Sequence, residues 1–254
     1  MEPTTESFSM LALATQYSFY MAFSGMFAAT IYFWMERNNL TPRYSVVASL
    51  SMMITCIAAV NYASMRNMVG LDGSFATLGS FPTEFRYADW VLTTPLILAV
   101  LVMLSNSQNK GALAAKLMIA DAIMIVAGYI GEVDINRAGG GTTIGWVGFL
   151  VGCAAFVYIL VTVYGELSEA AADMPDELRG TFSALQNFVL IAWSIYPLGY
   201  LAPLLGYHGD LLALRELIYC IADITAKAGF GILAVSLAKK LSMLEIQRQS
   251  EQHK

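Results

Sequence analysis

The chain has 254 residues, of which 57% are hydrophobic and only 13% are charged. An ordinary soluble domain carries about 25% charged residues, so most of this chain is expected to lie outside water. A net charge of −5 leaves no basic stripe for phosphates, which argues against nucleic acid as a partner. Cys56, Cys153 and Cys220 lie singly in apolar runs, so we expect neither a disulfide framework nor a metal site.

Apolar runs in the sequence predict seven membrane-spanning helices. A helix needs about 20 mainly apolar residues to cross the hydrocarbon layer. Runs of that length lie between short polar breaks, which contain turn-forming residues such as Asp72-Gly73 and Gly139-Gly140-Gly141. In chain order the predicted spans are 9–35, 44–65, 84–104, 112–130, 144–166, 180–204 and 212–241. We therefore predict an all-α membrane protein, a seven-helix bundle in which residues 1–254 form a single domain.

The basic residues predict an N terminus outside the cell and a C terminus in the cytoplasm, because Lys and Arg concentrate in cytoplasmic loops. In that orientation the cytoplasmic basic residues are Arg37, Arg43, Lys110, Lys116, Arg179, Lys239, Lys240, Arg248 and Lys254, and the outer ones are Arg66, Arg86, Arg137 and Arg215. Glu2 and Glu6 precede the first span without a basic segment, which favours a mature helix over a signal peptide.

Ionisable residues inside the spans are candidate functional groups, because a charge in mid-bilayer is costly. They are Asp89, Asp121, Asp223 and Lys227, with Arg86 near the end of the third span. Asp223 and Lys227 are one helical turn apart and share a face, so they can form an ion pair. From these residues alone, a pair that locks the bundle and a pair that serves transport are both open.

The third span brings a second carboxylate to this pair. Arg86, Asp89, Thr93 and Val100 follow helical spacing and fall near one stripe. One lysine that faces two carboxylates is balanced in charge when Arg86 joins the site. Such a site suits a protonated group derived from the lysine amine, and a Schiff base with an aldehyde is the known chemistry of that kind.

Four spans carry short motifs that include these residues. They are Arg86-Tyr87-Ala88-Asp89-Trp90 with Thr93-Thr94-Pro95-Leu96, Ala120-Asp121-Ala122-Ile123-Met124 with Gly128, Trp193-Ser194-Ile195-Tyr196-Pro197, and Asp223-Ile224-Thr225-Ala226-Lys227-Ala228-Gly229-Phe230-Gly231. Together, and in this order, the motifs resemble those of microbial (type 1) rhodopsins. Asn61-Tyr62 with Arg66, the stretch 128–132 and the stretch 152–158 are similar to the proteorhodopsin and xanthorhodopsin branch.

The resemblance implies that Lys227 carries all-trans retinal as a protonated Schiff base, with Asp89 and Asp223 as its counterion. The cofactor then supplies the photochemistry, and the protein supplies tethering, shape and charge. Asp89 is implied as the primary proton acceptor and Thr93 as its hydrogen-bond partner. Arg86 is implied to stabilise the ionised acceptor and to gate the exit.

The resemblance also implies a retinal pocket, although aromatic residues at helical spacing would otherwise be interpreted as ordinary core. Trp90, Trp193 and Tyr196 flank the chain of the chromophore in that interpretation. The further implied pocket residues are Thr94, Ile97, Asp121, Met124, Gly128, Phe156, Pro197 and Tyr200. Thr94 and a protonated Asp121 are expected to form a structural hydrogen bond between helices. The apolar Ile97 occupies a colour-tuning position and implies green absorption.

Three residues depart from the family pattern. Val100 occupies the place of the carboxylic internal proton donor and cannot hold a proton. Asn61 occupies the place of a histidine partner of the acceptor; it can hydrogen-bond Asp89 but cannot titrate. Phe149, next to Gly148, lies near the position of a glycine that opens a carotenoid slot in some relatives, so the resemblance implies no carotenoid antenna.

The expected function is a light-driven outward proton pump without the usual internal donor, reprotonated from cytoplasmic water. The alternative is a slow-cycling photosensor that signals to a separate partner protein. Chloride, sodium and inward proton pumps fit the carboxylate pattern poorly. The expected partners are protons, the lipid bilayer and further copies of the chain in a homo-oligomer, and the expected location is the bacterial plasma membrane.

Overall fold

The computed structural model describes residues 10–68, 84–172, 174–207 and 210–252. Within these ranges the chain forms seven long helices and no strand. The first six are α1 (Met10–Glu36), α2 (Pro42–Met68), α3 (Glu84–Leu104), α4 (Lys110–Ala138), α5 (Thr143–Tyr164) and α6 (Asp176–Leu204). A short 3-10 turn (Arg37–Asn39) follows α1, and a short helix (Glu166–Ala170) follows α5. The predicted all-α, seven-helix bundle is thus confirmed.

The seventh helix, α7, changes its hydrogen-bonding pattern in the middle. It consists of an α-helical part (Asp210–Ile224), a π-helical turn (Thr225–Gly229) and a second α-helical part (Phe230–Gln252). Lys227 lies in the π-helical turn. Turns of this type are rare and often occur at functional sites.

Six of the helices are long and apolar enough to cross a membrane, namely α2 to α7. The helix α1 has the necessary length, 27 residues, but is not among these six. It carries no Asp, Glu, Lys or Arg between Met10 and Met35, so nothing charged prevents it from lying in the bilayer beside α2 and α7.

Most helices run past the predicted spans, because polar residues at the ends continue the helix beyond the apolar run. The fourth extends to Ala138 rather than 130 and ends at Gly139, whose φ of 72° suits a residue without a side chain. The fifth ends earlier than predicted, at Tyr164, where the chain bends at Gly165. The predicted turn at Asp72-Gly73, the tail with Glu2 and Glu6, and Lys254 lie outside the described residues.

The helices are arranged so that neighbours in sequence are neighbours in space, and α7 closes the ring against α1, α2 and α6. Close approach of α4 and α5 depends on small residues. A Cβ on Gly148 would come within 2.6 Å of the Ala127 carbonyl oxygen, so only glycine permits this packing. Several buried charged side chains, Arg86, Asp89, Asp223 and Lys227 among them, lie where α3 and α7 face each other.

Candidate functional site

Lys227 lies between the two carboxylates that the sequence predicted as its partners. Its Nζ donates a short hydrogen bond to Asp89 Oδ2 and lies 3.2 Å from Asp223 Oδ1. The side chain of Lys227 is 2% exposed and both carboxylates are 1% exposed. These charges are paired because an isolated ion in this interior would be strongly destabilised.

The two carboxylates differ in their other partners. Asp223 accepts hydrogen bonds from Tyr62 Oη at 2.7 Å, Tyr196 Oη at 2.5 Å and Trp90 Nε1 at 3.2 Å. Asp89 Oδ1 is buried and has no hydrogen-bond partner among the described residues. Asp223 is therefore held in place as an anion by three donors, whereas Asp89 keeps one oxygen free to accept a proton.

Arg86 was expected to act on Asp89, but its closest partners lie elsewhere. Its guanidinium forms a buried ion pair with Glu216 at 2.5 Å and donates to Tyr62 Oη at 3.2 Å. The distance from Arg86 to the Asp223 carboxylate is 3.9 Å. Arg86 thus reaches the lysine site through Asp223 and Tyr62, and its main carboxylate partner is Glu216.

A buried network continues from Glu216 towards α4. Arg215 lies 2.7 Å from Glu216 and 2.9 Å from Glu132, and Tyr87 Oη donates to Glu132 at 2.8 Å. The sequence did not predict this network, because Arg215 was counted among the basic residues of the outer membrane side, Glu132 was used only as part of the stretch 128–132, and Glu216 was not considered. The signal was available for Glu216, which falls inside the predicted span 212–241.

Three other predicted site residues, Thr93, Asn61 and Val100, make no hydrogen bond to the Asp89 carboxylate. Thr93 Oγ1 donates to the main-chain carbonyl of Asp89 at 2.9 Å rather than to its carboxylate. Asn61 Nδ2 donates to the Ile57 carbonyl at 3.0 Å, and no hydrogen bond joins it to Asp89. Val100 is fully buried among apolar side chains.

An apolar pocket begins at Lys227 and extends between α3, α4, α5 and α6. The predicted pocket residues that line it are Trp90, Thr94, Ile97, Met124, Gly128, Phe156, Trp193, Tyr196, Pro197 and Tyr200. The rings of Trp90 and Tyr196 lie 4.8 Å apart between centroids at the lysine end. Of the predicted set, Asp121 lies behind the wall, where it accepts a hydrogen bond from Thr94 Oγ1 at 2.9 Å.

The pocket suits an elongated apolar molecule with one polar end. Its walls are aromatic and aliphatic, and the polar groups converge at the end where Lys227 meets Asp89 and Asp223. At the far end Phe149 stacks on Tyr200 with ring centroids 5.6 Å apart. The residues present therefore fit retinal, a polyene aldehyde that can join the lysine amine.

Comparison with known proteins identifies relatives over nearly the whole chain. Residues 13–241 match the family model described as bacteriorhodopsin-like protein. A green-light absorbing proteorhodopsin from a gamma-proteobacterium is 32% identical over 232 residues, which are 90% of this chain and 88% of the relative. The crystal structure of Exiguobacterium sibiricum rhodopsin is 42% identical and superposes with a TM-score of 0.87 over 93% of this chain and 100% of that chain.

A second solved structure is xanthorhodopsin, titled a light-driven ion pump with dual chromophore. It is 27% identical and covers 92% of this chain and 96% of its own, with a TM-score of 0.83.

Fold and site together define a multi-pass membrane protein of the microbial (type 1) rhodopsin class. The chain belongs to the bacteriorhodopsin-like family and is proteorhodopsin-like within it. It is accordingly a retinal-containing, light-driven proton pump of the bacterial plasma membrane rather than an enzyme.

Proposed function

We propose that the chain pumps protons outward, with Lys227 as the attachment site of all-trans retinal and Asp89 as the proton acceptor. The observation that carries the proposal is the asymmetry of the two carboxylates. Asp89 bonds directly to Lys227 Nζ and has a free Oδ1, whereas both oxygens of Asp223 are occupied by Tyr62, Tyr196 and Trp90. A proton that leaves the lysine nitrogen therefore finds its nearest available acceptor in Asp89.

Bound retinal supplies light absorption and a photoisomerisation that changes the environment of the nitrogen proton. The residues of the chain hold and transfer the proton. Lys227 holds the proton at Nζ, Asp89 receives it, and Asp223 remains charged. Trp90 and Tyr196 exclude water from the lysine end of the pocket and fix the Asp223 carboxylate.

The direction of transport follows from the orientation of the bundle. Arg86 and Arg215 are 1% and 8% exposed and belong to the buried network, so they no longer count as loop charges. Of the four basic residues assigned to the outer side, Arg66 and Arg137 remain, which strengthens the basic bias of the opposite side. With the C terminus in the cytoplasm, Arg86 and Glu216 lie on the outer side of Lys227, and the released proton leaves past them.

The cytoplasmic side of Lys227 lacks a carboxylic donor at Val100. From Asp89 to Val100 the third helix rises about 16 Å, at 1.5 Å for each of eleven residues. Val100 itself is buried in the apolar core and cannot hold a proton, so proton return depends on water that enters from the cytoplasm. The carboxylates of Glu36 and Glu166 lie at helix ends, where each forms an ion pair, with Lys239 and Lys116 respectively.

Replacing Val100 by Glu or Asp should create the missing donor. In the unmodified protein, recovery of the initial absorption after a flash should slow markedly as the pH rises, because the proton comes from bulk water. In Val100→Glu the recovery should be about 10- to 100-fold faster at alkaline pH and nearly independent of pH. Flash photolysis across a pH series measures this; a fast and pH-independent recovery in the unmodified protein would show that a donor exists elsewhere.

The structure supports a pump with retinal as its single chromophore. Phe149 stacks on Tyr200 at the end of the pocket. Gly148 packs directly against the backbone of α4. Neither position therefore provides space for a second polyene. Phe149→Gly should open such a slot. After incubation with a carotenoid, the variant should show carotenoid bands in the excitation spectrum of retinal fluorescence, and the unmodified protein should not. Such bands in the unmodified protein would contradict the prediction.

A photosensor is the second candidate, since the missing donor at Val100 would prolong the cycle and let a signalling state accumulate. A separate transducer would be its partner, whereas a pump needs only protons and the bilayer, and either form can assemble into a homo-oligomer. Illumination of cells that express the protein separates the two functions. A pump should acidify the medium, and a protonophore should abolish the acidification; a sensor should give no sustained change in pH.

A further inference from the structure

Buried hydroxyl groups form a stripe on α2 in the half of the bundle assigned to the cytoplasm. Ser51 and Thr55 are 1% and 0% exposed and are one helical turn apart. Thr55 Oγ1 donates to the Ser51 carbonyl at 3.0 Å, and Thr30 Oγ1 on α1 donates to Thr55 Oγ1 at 2.9 Å. Tyr62, seven residues after Thr55 and on the same buried face of α2, reaches Asp223. Ser51 and Thr55 therefore lie on the same face of α2 as the residue that contacts the lysine site.

Ser51 differs from the other buried hydroxyls of the helices. Thr55, Thr93 and Thr94 each donate to a carbonyl four residues earlier in their own helix. Ser51 Oγ is buried and has no hydrogen-bond partner among the described residues. Buried polar atoms without a protein partner commonly bind an ordered water molecule.

Ser51 and Val100 lie at similar depths on neighbouring helices. Eleven residues separate Tyr62 from Ser51 on α2, and eleven separate Asp89 from Val100 on α3, so each path rises about 16 Å. Tyr62 bonds Asp223 and Asp89 bonds Lys227, and these two partners are one turn apart on α7, so the two paths begin within about one helical turn of each other. Ser51 thus lies near the level where the carboxylic donor is missing, on a helix that packs against α3 and α7.

Polar groups gather at the cytoplasmic ends of the helices. Thr41 Oγ1 donates to Glu245 at 2.6 Å, and its amide donates to Ser242 Oγ at 3.2 Å. Glu36 and Lys239 form an ion pair at 2.6 Å beside them, and Lys110 Nζ donates to the Met103 carbonyl at 2.7 Å. Each of these groups at the helix ends has a partner, whereas Ser51 Oγ, which is buried further along α2, has none among the described residues and can bind water that enters from this end.

We propose that Ser51, supported by Thr55 and Thr30, binds the water molecule through which the proton returns to the site of Lys227. This inference rests on the proposed pump function and names the part of the chain that takes over from the missing carboxylate. The bound water accepts a proton from cytoplasmic water and releases one towards Lys227. The Ser51 hydroxyl only orients the water, so no group on α2 changes its charge and one proton moves in each cycle.

The test in the dark state is infrared spectroscopy of the full-length protein in normal and ¹⁸O-labelled water. The unmodified protein should show an O–H stretching band of a bound water that shifts on ¹⁸O labelling, and this band should be lost in Ser51→Ala. The matched control is Ser49→Ala, because Ser49 lies on the same helix but donates to the Ser45 carbonyl at 3.0 Å. The control should keep the band; the same band in Ser51→Ala would overturn the proposal.

The kinetic test uses the same variants after a flash. Recovery in Ser51→Ala should be about 2- to 10-fold slower than in the unmodified protein, which corresponds to the loss of one hydrogen bond, and Ser49→Ala should be unchanged. Equal recovery in Ser51→Ala would contradict the proposal even if the protein pumps. If the unmodified protein fails to acidify the medium while the isotope-sensitive band is lost in Ser51→Ala, the pump function fails and the water site stands.

Discussion

Lys227→Ala should give a protein without a visible absorption band. Lys227 is the lysine that reaches the pocket, and its amine is the group to which an aldehyde can attach. Removing it also leaves Asp89 and Asp223 without their cation, and loss of one partner of a buried ion pair costs about 3–5 kcal/mol of stability. The measurement is the absorption spectrum after purification with added all-trans retinal, together with circular dichroism to verify the helix content.

Lys240→Ala is the matched control for the loss of a lysine. Lys240 forms an ion pair with Glu177 at the exposed cytoplasmic end of the bundle, far along α7 from the pocket. This variant should keep its colour. A folded Lys227→Ala protein that retains a covalently linked visible chromophore would show that retinal is attached at another residue.

Asp89→Asn should abolish proton transport and move the absorption to longer wavelength. The substitution removes the negative charge next to the lysine nitrogen, so the positive charge of a bound chromophore spreads more easily and less energy is needed for excitation. The acceptor is lost as well, and we expect transport to fall by at least about 100-fold. Light-induced acidification of a cell suspension and the absorption spectrum measure the two effects.

Asp121→Asn provides the control for the loss of a buried carboxyl group. Asp121 bonds to Thr94 behind the pocket wall and makes no contact with Lys227. Its replacement should leave transport largely intact. Transport at the level of the unmodified protein in Asp89→Asn would place the acceptor at another residue, with Asp223 as the nearest candidate.

The sequence predicted the seven helices and the lysine–carboxylate group because both depend on local patterns. Apolar runs of sufficient length predict spans, and four residues on one helix face place Asp223 beside Lys227. The spacing of the third span likewise placed Asp89 at the site. These features hold in the structure, as do the apolar walls of the pocket.

The hydrogen-bond partners were harder to predict, because they depend on how helices face one another. The expected partner of Arg86 was Asp89, but Glu216 on α7 comes closer in space. Thr93 was expected to bond the Asp89 carboxylate and Asn61 was able to do so, yet both donate to carbonyl groups of their own helices. A Thr or Asn side chain in a helix competes for such carbonyls, and only the tertiary structure decides which partner is chosen.

The buried network of Arg86, Arg215, Glu216 and Glu132 could not be predicted from single spans either. Arg215 and Glu216 stand next to each other near the beginning of the last span, where charges are normally solvated. In the structure Glu132 on α4 and Arg86 on α3 meet them in the interior, and the four side chains satisfy one another. The network joins α7 to α3 and α4, which are distant from α7 in sequence, and no single span reveals it.

Time-resolved infrared spectroscopy of the unmodified protein tests the central proposal, transfer of a proton from Lys227 to Asp89, most directly. After a flash, a carboxylic acid C=O band should appear, should shift when aspartate is labelled with ¹³C, and should decay as the initial absorption recovers. The band should be absent in Asp89→Asn and present in Asp121→Asn. The same ¹³C-sensitive band in Asp89→Asn, appearing with the amplitude of the unmodified protein, would contradict the assignment of Asp89 as the proton acceptor.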